Sequence, residues 1–382
     1  MGCLFDTPPQ PPHSTEKKWD VGWGPVSACN MNCQFCYSKK ARANCSSDLT
    51  LKEWLQFIDS NHELIHSINY GTGENAISDD WFSLIYHIRK SYPDIRQSLT
   101  SNGYVSQKVK KNKRLMEYFV DSIDEVDISL DFCTPERHNE LRGQPHAFAW
   151  AMEALSLCHA ANKPLTLCFI GSAINTSEEN LTGLFEIAHR YNALVRMNIF
   201  RPMDMSDLKL RRFIIGFEEV CNILAFVNDK YQILSLSDPY FSALFSGPSK
   251  NDPSGISSLR ILSNGNITPS TYLISDSFTL GNIRQQGILH ELESSEQRKE
   301  IVNDKLPAEC QGCVLAGKCK GGVLDRRFLW YGSSTRKDPY CPRRFDSLNQ
   351  LPAPLSFSRR KFTSVHDGYL PTMFFSFDKD QL

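Results

Sequence analysis

An α/β fold is predicted for the first two hundred of the 382 residues. Short apolar runs bounded by turn residues alternate with stretches of helical period, and several of those stretches begin at residues that cap helices. Six such β-α units imply a parallel sheet curled into a barrel or partial barrel, a partial (β/α)6 arrangement of the TIM type.

The expected strands are Trp19 to Ser27, Ile65 to Tyr70, Ile95 to Thr100, Val126 to Asp131, Pro164 to Ile170 and Leu194 to Phe200. Helical patterns lie between them over residues 51–61, 80–91, 147–161 and 177–191. Asp48 or Thr50 caps the first, Ser78 or Asp79 the second, and Thr176-Ser-Glu-Glu opens the last. In folds of this kind the chemistry gathers where strands end.

The first strand runs into Cys29-x3-Cys33-x2-Cys36. A thiolate is a soft ligand, and three on one tight loop can hold three corners of an iron–sulfur cube. The fourth iron then lacks a protein ligand and is free to bind something else. A buried apolar role, a zinc site and a disulfide framework are the alternatives. Zinc more often takes two paired C-x2-C hooks, and disulfide frameworks suit short secreted chains.

The second strand is followed by Gly71-Thr72-Gly73-Glu74, where glycines let backbone groups approach a ligand and a carboxylate stands beside them. The third ends at Thr100-Ser-Asn-Gly103, which also reads as a plain turn. In the fourth, Ser129 and Asp131 alternate with Val126, Ile128 and Leu130, which puts the two polar side chains on the opposite face, the lumen of a barrel.

The formal charge of −1, from 42 Lys and Arg against 43 Asp and Glu, gives no electrostatic case for nucleic acid or an anionic membrane as partner. No run of eighteen apolar residues occurs, and the first ten residues have neither a basic region nor an apolar core. Asp6 stands where a myristoylation signal wants Ser or Thr. A cytoplasmic location is expected, and a reducing compartment suits free thiolates and oxygen-sensitive clusters better than disulfides.

The three-cysteine loop, with Phe35 before its last cysteine and a Gly-rich turn with Glu about forty residues on, resembles the radical S-adenosylmethionine (radical SAM) enzymes. The resemblance implies that Cys29, Cys33 and Cys36 hold a [4Fe–4S] cluster whose open iron chelates S-adenosylmethionine. It places Gly71, Thr72, Gly73 and Glu74 at the methionine amine, with Thr72 where a second glycine often stands. Ser129 is similar to the ribose-contacting position, and Arg142 in Leu-Arg-Gly to an arginine that meets the methionine carboxylate. The likeness extends through Arg196-Met-Asn-Ile-Phe-Arg201.

Farther on, Cys310-x2-Cys313-x5-Cys319 and Cys341 supply four thiols, which suit a closed cluster or a structural zinc. This pattern resembles the cysteine-rich SPASM or twitch-like extension of radical SAM peptide-modifying enzymes, which carries auxiliary [4Fe–4S] clusters. Leu259 to Ser270 is similar to the SPASM hairpin, yet Ser270 stands where a ligand cysteine is expected and Val323 replaces another. One auxiliary [4Fe–4S] cluster is therefore expected, on Cys310, Cys313, Cys319 and Cys341.

The expected organisation is an N-terminal extension (1–18), a radical SAM partial barrel (19–205), a bridging region (206–255), a small α+β iron–sulfur domain (256–350) and an aromatic tail (351–382). Six aromatics in that tail favour docking back onto the barrel over a partner surface.

The resemblance implies reductive cleavage of S-adenosylmethionine to a 5′-deoxyadenosyl radical, with electrons from an external donor. It further implies a ribosomally made precursor peptide as substrate, with Asp131, Arg196, Asn198 and Arg201 as candidates to hold it. Residues 1–18 are too short for a leader-binding domain, so a separate recognition protein is expected. Overall likeness leans toward enzymes that excise or rearrange backbone, including spliceases that remove a tyramine-derived unit. Crosslinking and epimerising enzymes are close competitors, and a dehydrogenase or decarboxylase of a sugar or nucleoside is the alternative class.

Overall fold

A computed structural model of the chain describes residues 17–39, 42, 48–302, 305–359 and 361–378. All but the last two residues of the expected N-terminal extension fall outside that set. Six strands form the expected parallel series: β1 (Trp19–Trp23), β2 (Ile65–Tyr70), β3 (Arg96–Ser101), β4 (Glu125–Ser129), β5 (Leu165–Gly171) and β6 (Leu194–Ile199). They pair in chain order.

Five more strands extend the sheet: β7 (Gln232–Leu236), β8 (Ser258–Ile261), β9 (Asn266–Thr268), β10 (Gly281–Asn282) and β11 (Met373–Ser376). The order is β10-β9-β8-β1-β2-β3-β4-β5-β6-β11-β7, so the sheet is an open, partial barrel. The hairpin that resembles a SPASM hairpin starts on β8, parallel to β1, and thus continues the barrel wall.

Alternation along β6 shows how the sequence builds both faces. Val195 and Met197 join the apolar core, while Arg196 and Asn198 face the interior cavity. In β4, Val126 and Ile128 pack in the core and Ser129 reaches the cavity, as the alternation predicts.

The outer helices follow their patterns closely. The helix Leu51–Asn61 buries Trp54, Phe57, Ile58 and Asn61, one stripe at helical spacing. Thr50 is its cap, and Thr50 and Glu53 form a reciprocal capping box. Ser177 caps Glu178–Arg190 through a side-chain bond to the Asn180 amide.

Three strands are shorter than expected, β6 by its last residue only. β1 stops at Trp23, because Gly24 and Pro25 follow and proline has no amide hydrogen to give a ladder. β4 stops at Ser129, and Asp131 lies beyond it in the connection to the helix Pro135–Arg142.

The tail docks on the barrel. β11 inserts between β6 and β7, antiparallel to both, with Phe374 and Phe375 buried. Just before it, the helix Val365–Tyr369 packs against β1, β2, β3 and β8. Ser364 Oγ donates to Glu125 Oε2 at 2.8 Å, and His366 Nε2 lies 3.1 Å from Thr100 Oγ1.

Candidate active site

A cavity of about 170 Å³ opens at the carboxyl ends of the strands. Cys29, Cys33 and Cys36 line it, together with Phe35, Gly71, Thr72, Gly73, Ser129, Arg142, Arg196, Asn198 and Arg201. Residues dispersed from Cys29 to Arg201 thus share one space, as the strand-end reading requires.

Backbone bonds fix the cysteine loop. The Asn32 amide donates to Arg142 O and the Gln34 amide to Leu141 O, each at 3.1 Å, while the Glu74 amide donates to Ala28 O at 2.9 Å. Gly143, at φ +60°, ends the helix Pro135–Arg142 against Asn32, where a Cβ would lie 2.8 Å from Asn32 O. N–H donors surround the sulfurs: Arg42 Nη2 is 3.7 Å from Cys36 Sγ, Arg142 Nη1 4.0 Å from Cys33 Sγ and Asn102 Nδ2 4.0 Å from Cys29 Sγ. Burial nonetheless pushes the Cys33 thiol up to about 11, against the pull of Arg142, and raises Cys29 as well.

The Gly71–Glu74 turn is strained. Thr72 has φ +78° and Gly73 φ +65°, and a β-branched residue in that region is a true outlier. Thr72 Oγ1 lies 2.8 Å from the Tyr37 hydroxyl and also accepts from Arg260, which together hold the conformation. At Gly73 an added Cβ would lie 2.6 Å from Ala28 O. Gly71, Thr72 and Gly73 line the cavity. The Glu74 carboxylate turns away from it, accepting from Ser101 Oγ at 3.0 Å and the Asn102 amide at 2.8 Å. Burial raises its carboxyl to about 7.

Arg142 is held in place by Asp131. Asp131 Oδ2 accepts from Arg142 Nε at 2.7 Å and Nη2 at 2.6 Å, and Oδ1 accepts the Ile170 amide at 3.1 Å. Asp131, grouped in the sequence with the substrate-holding candidates, is fully buried and does not line the cavity; its carboxylate is committed to Arg142. The Arg142 guanidinium sits 5.2 Å from the Phe35 ring, and Phe35 packs edge-on to Phe213.

Arg196, Asn198 and Arg201 reach the cavity, each with a buried partner. Arg196 pairs with Asp127, Asn198 Oδ1 accepts from Thr372 Oγ1 at 2.6 Å, and Arg201 Nε lies 2.7 Å from Asp325 Oδ1. Sequence reasoning missed Arg260, Tyr272, Cys168, His366 and Tyr369 among the lining residues. Cys168 carried a signal, since it lies on the lumen side of β5, in register with Ser129 and Arg196.

Cys310, Cys313, Cys319 and Cys341 line a second, small pocket with Tyr240, Lys337 and Asp338. Burial and the neighbouring thiols push Cys310 up to about 11 and Cys319 up to about 12. Among the described residues no three His, Cys, Asp or Glu side chains converge closely enough for a single ion. Ser270 stands apart from this pocket and donates to Asp325 Oδ2 at 2.9 Å.

A partial barrel with an open three-thiol site at its strand ends defines a class of enzyme. Residues 24–181 match the radical SAM superfamily, so the chain carries a radical SAM domain. The AdoMet-dependent heme synthase of Methanosarcina barkeri is 21% identical over 350 residues, covering 84% of this chain and 95% of its own. Among solved structures, Streptococcus suis SuiB bound to S-adenosylmethionine is similar with a TM-score of 0.64 at 16% identity, over 85% of this chain and 77% of that one. Native anSMEcpe with bound AdoMet has a TM-score of 0.64 at 17% identity, over 84% of this chain and 94% of that one. Among the described residues no helix is long and apolar enough to cross a membrane.

Proposed function

We propose that this enzyme is a radical SAM peptide maturase that takes a hydrogen atom from a ribosomally made precursor peptide. The observation that carries the reading is one cavity that joins three free thiols, a glycine turn and a deep polar wall. When bound, a [4Fe–4S] cluster on Cys29, Cys33 and Cys36 with S-adenosylmethionine supplies the 5′-deoxyadenosyl radical.

The chain's own residues do the positioning. The backbone of Gly71, Thr72 and Gly73 receives the methionine amine, Ser129 the ribose, and Arg142, aimed by Asp131, the methionine carboxylate. Arg196, Asn198 and Arg201 orient the substrate from β6 and the residues just after it, their buried partners keeping each head group fixed. Cys310, Cys313, Cys319 and Cys341 hold one auxiliary [4Fe–4S] cluster, which relays an electron or braces the fold. An external donor supplies electrons, and a separate protein presents the leader.

SuiB, one of the structural neighbours, is also seen with its precursor peptide SuiA, which supports a peptide as substrate here. Backbone excision such as tyramine removal, crosslinking and epimerisation all start from the same hydrogen abstraction. The heme synthase relative favours a second reading, a decarboxylase or dehydrogenase of a small molecule. The mass of a co-expressed precursor peptide tests the choice. Loss of a fragment, loss of two hydrogens or deuterium uptake supports the first reading, and an unmodified peptide beside turnover of a small acid supports the second.

A further inference from the structure

A third pocket, of about 340 Å³, shares Cys319 with the four-thiol pocket and lies apart from the cavity at the strand ends. Five cations line it, Lys250, Arg298, Lys299, Lys320 and Arg327, against a single acid, Asp252. That acid is spent on the backbone, for Oδ1 accepts the Ser254 amide at 2.9 Å and Oδ2 the Leu324 amide at 2.6 Å. None of the five cations lines the four-thiol pocket, which has Lys337 and Arg344 of its own.

Two of the five have partners outside the pocket: Lys250 lies 3.0 Å from Asp367 and Lys299 2.6 Å from Glu296. Arg298, Lys320 and Arg327 form no ion pair among the described residues. The Arg298 fork is taken up by the carbonyls of Leu292 at 2.6 Å, Gly255 at 2.8 Å and Glu293 at 2.9 Å, so it adds charge but no open N–H. Arg327, on the helix Leu324–Tyr331, is 5% exposed. Its Nη1 donates to Ser334 O at 2.6 Å and its Nε is enclosed, which leaves Nη2 as its one open donor. Lys320 stands exposed at the same pocket.

A buried guanidinium without a carboxylate is costly unless a charge from outside the chain meets it. One open corner cannot make the paired N–H contact that suits a carboxylate. A phosphate group asks for something different, because its oxygens point in three directions and each takes its own donor, lysine point charges included. Arg327 Nη2, Lys320 Nζ and Lys250 Nζ come from three separate segments and supply such a set. The volume leaves room for an organic part beside the phosphate.

We propose that this pocket is a second ligand site, which takes the phosphate group of a small phosphorylated molecule. The site holds whichever substrate the first cavity takes.

The test is equilibrium dialysis of labelled glycerol 2-phosphate against the full chain, reconstituted anaerobically, at constant ionic strength and with S-adenosylmethionine filling the first cavity. One saturable equivalent per chain is expected, with a dissociation constant below about 1 mM. Lys320→Gln should weaken binding by about fivefold or more, and Arg327→Gln by about tenfold or more. Lys320 is exposed, so its variant decides the matter even where Arg327→Gln does not fold. Lys318→Gln changes an exposed lysine of the same segment that lines neither pocket, and should stay within about twofold of wild type. No saturable binding, or equal losses in Lys318→Gln and Lys320→Gln, overturns the proposal. Inorganic phosphate separates the two sources: binding weaker by about threefold or more supports the phosphorylated molecule, and binding as tight or tighter makes this a site for the free ion and overturns it. The metal-free chain should bind glycerol 2-phosphate with similar affinity. Binding there that is lost on iron loading assigns the cations to the thiol site and also overturns the proposal.

Discussion

Replacing Asp131 by Asn changes few atoms and removes one buried charge. The side chain is fully buried, so the loss is felt in a low-dielectric setting. Oδ2 now accepts two N–H groups of Arg142 at 2.6 and 2.7 Å. In Asp131→Asn, an amide placed at Oδ2 would point its own hydrogens at the guanidinium. A flipped amide instead loses the Ile170 amide bond, 3.1 Å long at Oδ1. Either way a buried guanidinium is left without its counter-charge, which typically costs about 3–5 kcal/mol. Urea unfolding of the metal-free protein should show that loss. A change below about 1 kcal/mol would refute the view that this pair is a fixed element of the cavity. The functional consequence should be separate and measurable. With Arg142 no longer aimed, affinity for S-adenosylmethionine in the reconstituted enzyme should fall by about 10- to 100-fold, the usual scale for losing an orienting partner.

Glu74 makes stability depend on pH. Its carboxyl ionises near 7 in the fold against an ordinary value of 4.5. The folded state thus keeps a proton the unfolded chain gives up, and stability falls as pH rises from about 4.5 to about 7, by roughly 3 kcal/mol. Urea midpoints at pH 5 and pH 8 should show Glu74→Gln losing correspondingly less than wild type; equal losses would remove Glu74 as the cause. Gly73→Ala must fit a Cβ 2.6 Å from Ala28 O at φ +65°, and should lower both stability, by about 2 kcal/mol, and binding of S-adenosylmethionine. Anaerobic reconstitution should load about eight irons per chain. Ala at Cys29, Cys33 and Cys36 should leave about four and end 5′-deoxyadenosine release under dithionite, and Ala at Cys310, Cys313, Cys319 and Cys341 should also leave about four. About four irons with one zinc in the wild type would instead assign the second pocket to zinc.

What could be read in the sequence was local. Cysteine spacing needs no fold to be recognised, and neither does the alternation that aims Ser129 inward, nor the Thr50 and Ser177 caps. Strand ends were less legible, since the stop at Trp23 comes several residues before the apolar run ends at Ser27. Pairings between distant segments were not legible at all. Asp131 looked like a lumen residue because alternation was carried past the last ladder bond; once the strand ends at Ser129, that rule no longer governs it. The tail's aromatics announced docking, but not that His366, Tyr369 and Leu370 would line the cavity, which depends on where β11 enters the sheet.

The two positions where the SPASM pattern lacks its cysteines illustrate how such a gap is filled. Ser270 donates to Asp325, whose other oxygen meets Arg201 at the cavity wall. Val323 is buried, and its amide donates to Asp338 Oδ2 at 2.8 Å. Arg326, next in the chain after Asp325, joins the two: it reaches Asp238 Oδ2 at 2.5 Å and Asp338 Oδ2 at 2.7 Å. Asp338 in turn lines the four-thiol pocket, and its carbonyl accepts the Cys341 amide at 2.9 Å. Two sets of buried ion pairs, Arg201–Asp325 and Arg326 with Asp238 and Asp338, therefore meet at the Asp325–Arg326 peptide between the cavity that holds Arg201 and the pocket that holds Cys341. Such a network is rigid because each charge is costly to leave unpaired. At Ser270 and Val323, where the SPASM pattern has cysteines, guanidinium and carboxylate groups tie the neighbouring loops together.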